Sequence, residues 1–215
     1  MVRSGVRAVD TTGWPTRELI LLEASRLFAT RGYLGTSTRD ITTAVGIRQP
    51  SMYSHFASKQ EIAEELLRRD LAAGITTLKQ LAARAGGPAV ELYRYLVWEV
   101  AHDLETPFDL RSLYVGEILD LIDFPEGRLL LRSYERLLTS VIRRGIVAGD
   151  FLDIDVTFAK RVVDAIVENT IRTSAAGEKR VRNEPDTAAS FVIRALLTDP
   201  SGLAGVRSAA HESRN

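Results

Sequence analysis

Apolar residues recur at helical spacing along this chain from about residue 15 onward. Leu21, Ala24, Ser25 and Phe28 fall at i, i+3, i+4 and i+7, with Leu27 beside them, while Arg17, Glu18, Glu23 and Arg26 take other positions. This predicts an amphipathic helix opening near Pro15 and ending at Gly32. Ser37 with Asp40 three residues later resembles a capping box with a shorter acid, Ile41 and Val45 supply an i, i+4 apolar pair, and Gly46 stops this second, short helix. Pro50 suits the first turn of a helix, where its missing N–H would have no partner, so a third helix is expected from Pro50 to about Phe56. Ser58-Lys59-Gln60-Glu61 then forms a full capping box ahead of a long fourth helix carrying Ile62, Leu66, Leu71, Ile75 and Leu78.

Beyond residue 84 the helical period continues. Helices are expected near Ala89 to Leu104, Leu110 to Leu121, Glu126 to Ala148, Ile154 to Ser174 and Asp186 to Leu197, separated by glycine and proline breakers. No alternating pattern competes as a strand, so the fold class is all-α. Two short helices joined by a turn of about four residues containing Gly46 make a helix-turn-helix, whose second helix enters the DNA major groove. The expected organisation is a flexible arm over residues 1–14 and a three-helix DNA-binding domain over 15–60. A larger helical domain follows over 61–198, with a disordered tail, rich in Gly, Ser and Ala, over 199–215.

Composition narrows the function classes. With 45% hydrophobic and 26% charged residues the chain is ordinary for a globular protein. The absence of cysteine excludes disulfides, thiolate metal sites and cysteine nucleophiles. The longest aliphatic run, Leu19 to Leu22, is far below the roughly 20 residues of a membrane span. A soluble protein without a membrane partner is therefore expected. The N-terminus lacks the apolar core of a secretory signal, which makes the cytoplasm the default. The formal net charge of zero hides an asymmetry. Residues 1–60 carry eight cations, among them Arg39, Arg48 and Lys59, against four anions, whereas the remainder holds 20 cations and 24 anions. An electropositive head on an acidic body suits a phosphate-rich partner at one end.

The third helix opens with Gln49, Pro50 and Ser51, where side chains reach base edges. Gln pairs bidentately with adenine, and the Pro50 ring can touch a thymine methyl. Arg39, at the start of the second helix, can reach a guanine or a phosphate. Thr38, Tyr53 and Lys59 carry donors suited to phosphate oxygens, Arg48 and Ser54 flank the same helix, and the lone His55 takes such a role only from its place in Tyr53-Ser54-His55-Phe56. Tyr53 and Phe56 also fit plain core aromatics; Phe56 is read as core together with Met52, facing Phe28 and Ile41. In the middle helices, Tyr93, Tyr95, Trp98, Phe108, Tyr114, Phe124 and Tyr134 concentrate large rings. Some of them must fill the core. Tyr95, Trp98, His102, Phe108, Tyr114 and Tyr134 are the candidates to line a pocket for an apolar or aromatic ligand. Glu99 and His102 stand at the Glu-x-x-His spacing of di-iron bundles, but no second pair exists, so a polar pair is favoured over a metal site. No metal or cofactor is implied.

The stretch Leu21 to Phe28, then Gly32-Tyr33, Thr36 to Ile41, Gly46-Ile47, Tyr53-Ser54-His55-Phe56 and Ser58-Lys59 resembles, in order and spacing, the DNA-binding domain of the TetR family of bacterial transcriptional regulators. The likeness spans Arg17 to Leu66. Ser25 and Thr42 stand where that family usually has alanine, which is expected to loosen packing slightly. Pro50-Ser51 stands where a glycine and a small residue are frequent, which bears on operator sequence. The resemblance implies a homodimer bound to double-stranded DNA, with a C-terminal domain holding a small-molecule effector and the dimer interface. Phe158, Val162 and Ile166 on one late helix, and Phe191, Val192 and Leu196 on the next, form apolar stripes. Core packing explains part of them and the family's four-helix interface the rest. The expected function is a ligand-responsive, sequence-specific transcriptional regulator, a repressor released from a palindromic operator by its effector. A sequence-tolerant DNA-binding protein is the alternative. A helical enzyme is the weaker one, since no nucleophile, phosphate-loop or zinc spacing has a supporting context.

Overall fold

The computed structural model describes residues 10–114, 124–175 and 183–212. Its helices are α1 (Thr16–Arg31), α2 (Thr38–Val45), α3 (Gln49–Tyr53), α4 (Lys59–Ala82), α5 (Gly87–Glu105), α6 (Arg111–Tyr114), α7 (Pro125–Ala148), α8 (Val156–Ala175), α9 (Glu184–Leu196) and α10 (Leu203–Glu212). Among the described residues no strand forms; an isolated bridge pairs Phe151 with Leu197. The expected helix over 110–121 begins as α6, and the rest of it lies outside the described residues.

The helices sort into two compact units, residues 1–73 with 106–132, and residues 74–105 with 133–215. The division therefore falls inside α4 and not at residue 60. The physical reason is packing. Ile62, Ala63, Leu66, Leu67 and Leu71 on the first part of α4 are all buried, and ion pairs fasten this part to α1. In the same unit, α1 buries Leu21, Ala24, Ser25 and Phe28 as its spacing predicts, but also Ile20 and Leu22. It is thus enclosed on more than one face. Gly46 ends α2 in the left-handed region, at φ 79°, where a side chain would be strained.

The second unit has a core of Leu92, Tyr93, Leu96, Val100, Leu138, Ile142, Val163 and Ile193. In α7, a Cβ at Gly145 would stand 2.1 Å from the Phe151 ring, so glycine permits the chain after α7 to fold back this closely.

The C-terminal segment corrects an expectation. Where composition suggests disorder after residue 199, Pro200–Gly202 make a 3₁₀ turn and α10 follows. Leu203, Val206 and Ala209 pack against the core and Ala210 is buried. The Arg94 guanidinium donates to the carbonyls of Ala209 (2.6 Å) and Ala210 (3.2 Å). Asp186 accepts from the Tyr93 hydroxyl, pairs with Arg207 at 2.6 Å and meets His211 at 3.3 Å. Small residues here allow close helix packing, and charge-assisted bonds at the last carbonyls fix it.

Candidate nucleic-acid interface and ligand cluster

The interface begins with how α2 and α3 are held. The Ser37 hydroxyl accepts from the Asp40 N–H at 3.1 Å while the Asp40 carboxylate accepts from the Ser37 N–H at 2.8 Å, completing the capping box. The Ser37 hydroxyl also donates to the Asp40 carboxylate, and this bond first, then that from the Ser37 N–H, aided by Arg31 at 3.2 Å, keeps the Asp40 carboxyl below the usual carboxylate range. Ile41 is fully buried under this cap. Thr42, expected to loosen packing, is buried with its hydroxyl bonded to the Arg39 carbonyl at 3.0 Å. Ser25 likewise donates to the Leu22 carbonyl at 2.8 Å and accepts from the Asp109 N–H at 3.3 Å. Both hydroxyls are therefore satisfied, so neither leaves a buried polar group unpaired.

α3 is only five residues long, with Pro50 in its first turn. Met52 and Phe56 are buried, as the pattern predicts, and they give α3 an anchored side. Gln49, Pro50, Ser51, Tyr53, Ser54 and His55 are exposed, and so are Arg39 and Arg48; Thr38 is half-buried. The Ser54 hydroxyl is bonded to the Ser51 carbonyl at 2.7 Å.

Behind α3, Arg17 lies over the Phe56 ring at 4.6 Å and pairs with Glu65 at 3.2 Å. Arg69 grips Glu18 with two bonds of 2.7 and 2.9 Å and also reaches Glu65 at 2.8 Å. Desolvation pushes the Glu65 carboxyl up, but hydrogen bonds from Arg69, Arg68 and Arg17 outweigh it and leave the pKa below normal. This brace was missed by sequence reasoning. Its signal was the spacing of Glu65 to Arg68 and Arg69 along one helix face.

Lys59, expected at phosphate, turns inward here. Its ammonium donates to the carbonyls of Tyr33 (2.7 Å) and Thr36 (2.6 Å) and lies 4.2 Å from the Tyr33 ring centroid. Burial pushes this ammonium's pKa down.

In the second unit, four of the ring candidates converge. Tyr95 stands 5.8 Å from Trp98 and 6.3 Å from Tyr134, and Trp98 stacks on His102 at 4.8 Å. The hydroxyls of Tyr95 and Tyr134 both donate to Glu99 Oε1, at 3.1 and 2.6 Å. Burial first, then the Glu99 charge, holds both phenols well above their ordinary pKa. Glu99 as the shared acceptor was not foreseen, although Tyr95 and Glu99 are an i, i+4 pair. Phe108 and Tyr114 belong to the first unit, where the Tyr114 hydroxyl donates to Asp70 at 2.6 Å.

The dimer candidates divide. Phe158 (54% exposed), Val162 (39%) and Phe191 (64%) face outward and, with Ile166, line a shallow groove along α8 and α9. Val192 and Leu196, expected on that surface, are 1% and 6% exposed. They belong to the core of their own subunit, because the inward side of α9 packs on α5.

A short helix anchored on one side, polar on the other, and introduced by a capped partner helix defines a helix-turn-helix DNA-binding regulator. The sequence profile of bacterial regulatory proteins of the tetR family matches residues 20–66. The chain is 31% identical over 159 residues to the HTH-type transcriptional repressor KstR2 of Rhodococcus jostii (strain RHA1), covering 72% of this chain and 78% of that one. KstR2 of Mycolicibacterium smegmatis is 28% identical, with coverage of 70% and 77%. The chain belongs to the TetR family, whose members are ligand-responsive DNA-binding transcriptional regulators. Among solved structures, Mycobacterium smegmatis AmtR is similar with a TM-score of 0.78 at 25% identity, covering 96% of this chain and 99% of that one. The TetR family transcriptional regulator PfmR from Thermus thermophilus gives 0.65 at 28%, with coverage of 81% and 97%. Among the described residues no helix is long and apolar enough to cross a membrane.

Proposed function

We propose that the chain is a cytoplasmic repressor that binds an inverted-repeat operator as a homodimer and leaves it when an apolar or aromatic small molecule enters the second unit. The observation that carries the DNA reading is the division of α3, with Met52 buried and Gln49, Pro50 and Ser51 uncovered on its outer edge. In this reading Gln49 selects adenine and Pro50 contacts a thymine methyl, while Ser51 adds a polar base contact. Thr38, Arg39, Arg48, Tyr53, Ser54 and His55 hold the flanking phosphates. Lys59 is left out of this set. The repressor assignment is supported by relatives named transcriptional repressors.

Dimerisation is assigned to the exposed Phe158, Val162 and Phe191 with the half-buried Ile166 beside them, an apolar stripe that a second copy would bury. The effector reading rests on Tyr95, Trp98, His102 and Tyr134 around Glu99, an aromatic cluster with a few convergent polar groups. Selection of bound duplexes from a random pool tests the first part, the expected result being inverted repeats with half-site centres about one helical turn, or a small multiple, apart. Screening for compounds that release the selected duplex then tests the second. Binding without sequence preference would instead mark a sequence-tolerant DNA-binding protein.

A further inference from the structure

Lys59 stands at the first position of α4, where a cation opposes the helix dipole and where burial disfavours its charge. Its ammonium nevertheless turns inward to two carbonyls that lie 26 and 23 residues earlier in the chain. Those carbonyls belong to Tyr33 and Thr36, inside the segment Gly32–Ser37 that joins α1 to α2. The segment is also tied by the Thr36 hydroxyl to the Gly32 carbonyl at 2.9 Å and by the Thr36 N–H to the Tyr33 carbonyl at 3.3 Å, and Thr36 is buried. Tyr33 itself is packed between Phe28 and Phe124, with ring centroids at 5.2 and 5.7 Å, and offers its face to the ammonium. The residue that follows Thr36 is Ser37, the cap of α2, and Thr38 and Arg39 come directly after it.

We infer that Lys59 is a positioning residue for operator binding: it clasps the α1–α2 connection to the start of α4, so that the capped end of α2 is presented to DNA in a fixed place, and it does not itself neutralise a phosphate. The inference rests on the DNA-binding reading. It differs from that reading in what salt should do. A cation on a phosphate releases a counterion, and its loss lowers the slope of log K against log salt by about 0.9 per contact, or about 1.8 for a dimer. Loss of a clasp lowers affinity at every salt concentration and leaves the slope in place.

The test uses the full chain, the selected operator duplex, and the unmodified protein beside Lys59→Met, which keeps the apolar stem and removes the charge. The expected result is an operator affinity about tenfold weaker, in line with loss of charge-assisted hydrogen bonds. The salt slope should be unchanged and amide hydrogen exchange over 32–38 faster. A slope reduced by about 1.8, or an affinity and exchange rate like those of the unmodified protein, overturns the clasp. Side-chain NMR of the unmodified protein covers the case in which Lys59→Met does not fold. The Lys59 ammonium should show protected protons in the free protein and keep them when operator is added. An unprotected ammonium in the free protein, or one that acquires coupling to phosphorus in the complex, overturns the proposal. Failure of the unmodified protein to bind any duplex would overturn the DNA reading alone, since the signal in free protein still decides whether the clasp exists.

Discussion

α3 and α8 both leave side chains uncovered, and of opposite kinds. The outer edge of α3 is polar, with Gln49, Ser51, Tyr53 and His55 around Pro50, and water satisfies those groups when nothing is bound. The uncovered side of α8 carries Phe158 and Val162, which with Phe191 on α9 form an apolar surface that water does not satisfy. A polar edge suits a partner that comes and goes, exchanging one set of hydrogen bonds for another. An apolar stripe suits a partner that stays. Under the proposed function the two surfaces would sort by lifetime, with a reversible operator contact at α3 and a subunit contact at α8 and α9 that outlasts it.

The largest effect is expected where this contrast is abolished. Phe158→Asp combined with Phe191→Asp should give monomers of undiminished helical content whose operator affinity falls on the order of 10²- to 10⁴-fold, because two linked half-site contacts become one. Sedimentation, circular dichroism and operator titration check it, and tight operator binding by the monomer would remove the argument. The next separates the two sides of α9. Leu196→Ala should lower unfolding free energy by about 2 to 5 kcal/mol, as a truncated core residue does. Phe191→Ala should leave monomer unfolding nearly untouched and weaken dimerisation instead. Denaturant melts at several protein concentrations distinguish the two.

That second comparison also shows what the sequence can and cannot carry. The spacing of Leu21, Ala24, Ser25 and Phe28 is enough to orient α1, since a buried stripe on one helix is a local matter. Phe191, Val192 and Leu196 look alike on paper, however, and only the position of α5 against α9 decides that Val192 and Leu196 are covered within the subunit. The capping box at Ser37 is legible because both partners lie within one turn; at Ser58 only half of the expected box forms, the Ser58 hydroxyl accepting from the Glu61 N–H while the Glu61 carboxylate takes the N–H of Ala57. Lys59 is not legible, because its partners are carbonyls far back in the chain, and a carbonyl leaves no mark in the residue type that bears it. The tail fails for a related reason. Leu203, Val206 and Ala209 give a weak apolar period, and the bonds that fix α10 come from Arg94 and Asp186 on other helices.

A smaller effect sharpens the polar side of the contrast. Gln49→Ala should cost about 1 to 3 kcal/mol of discrimination per contact at one symmetric base pair of each half-site, leaving the salt slope unchanged because no cation is removed. Quantitative binding to all four substitutions at that pair checks it, and a lowered slope with unaltered preference would place Gln49 on the backbone. The smallest concerns the brace behind α3. Glu18 and Glu65 have carboxyls held below their ordinary pKa, so their contribution is fully present above the normal carboxylate range and is lost as pH falls through the lowered values. Glu18→Gln should therefore reduce stability by at most about 1 kcal/mol near neutrality. The difference from the unmodified protein should vanish in acid, which urea melts across that pH range would register.

The stack of Trp98 on His102 has a practical consequence. The chain holds two tryptophans, and the other, Trp14, belongs to the first unit. Trp14→Phe would leave a single indole fluorophore, seated among Tyr95, Tyr134 and His102 where the effector is proposed to enter. Its emission colour would report occupancy of that cluster without any attached dye. A compound library could then be read by fluorescence on the free protein before any operator is known.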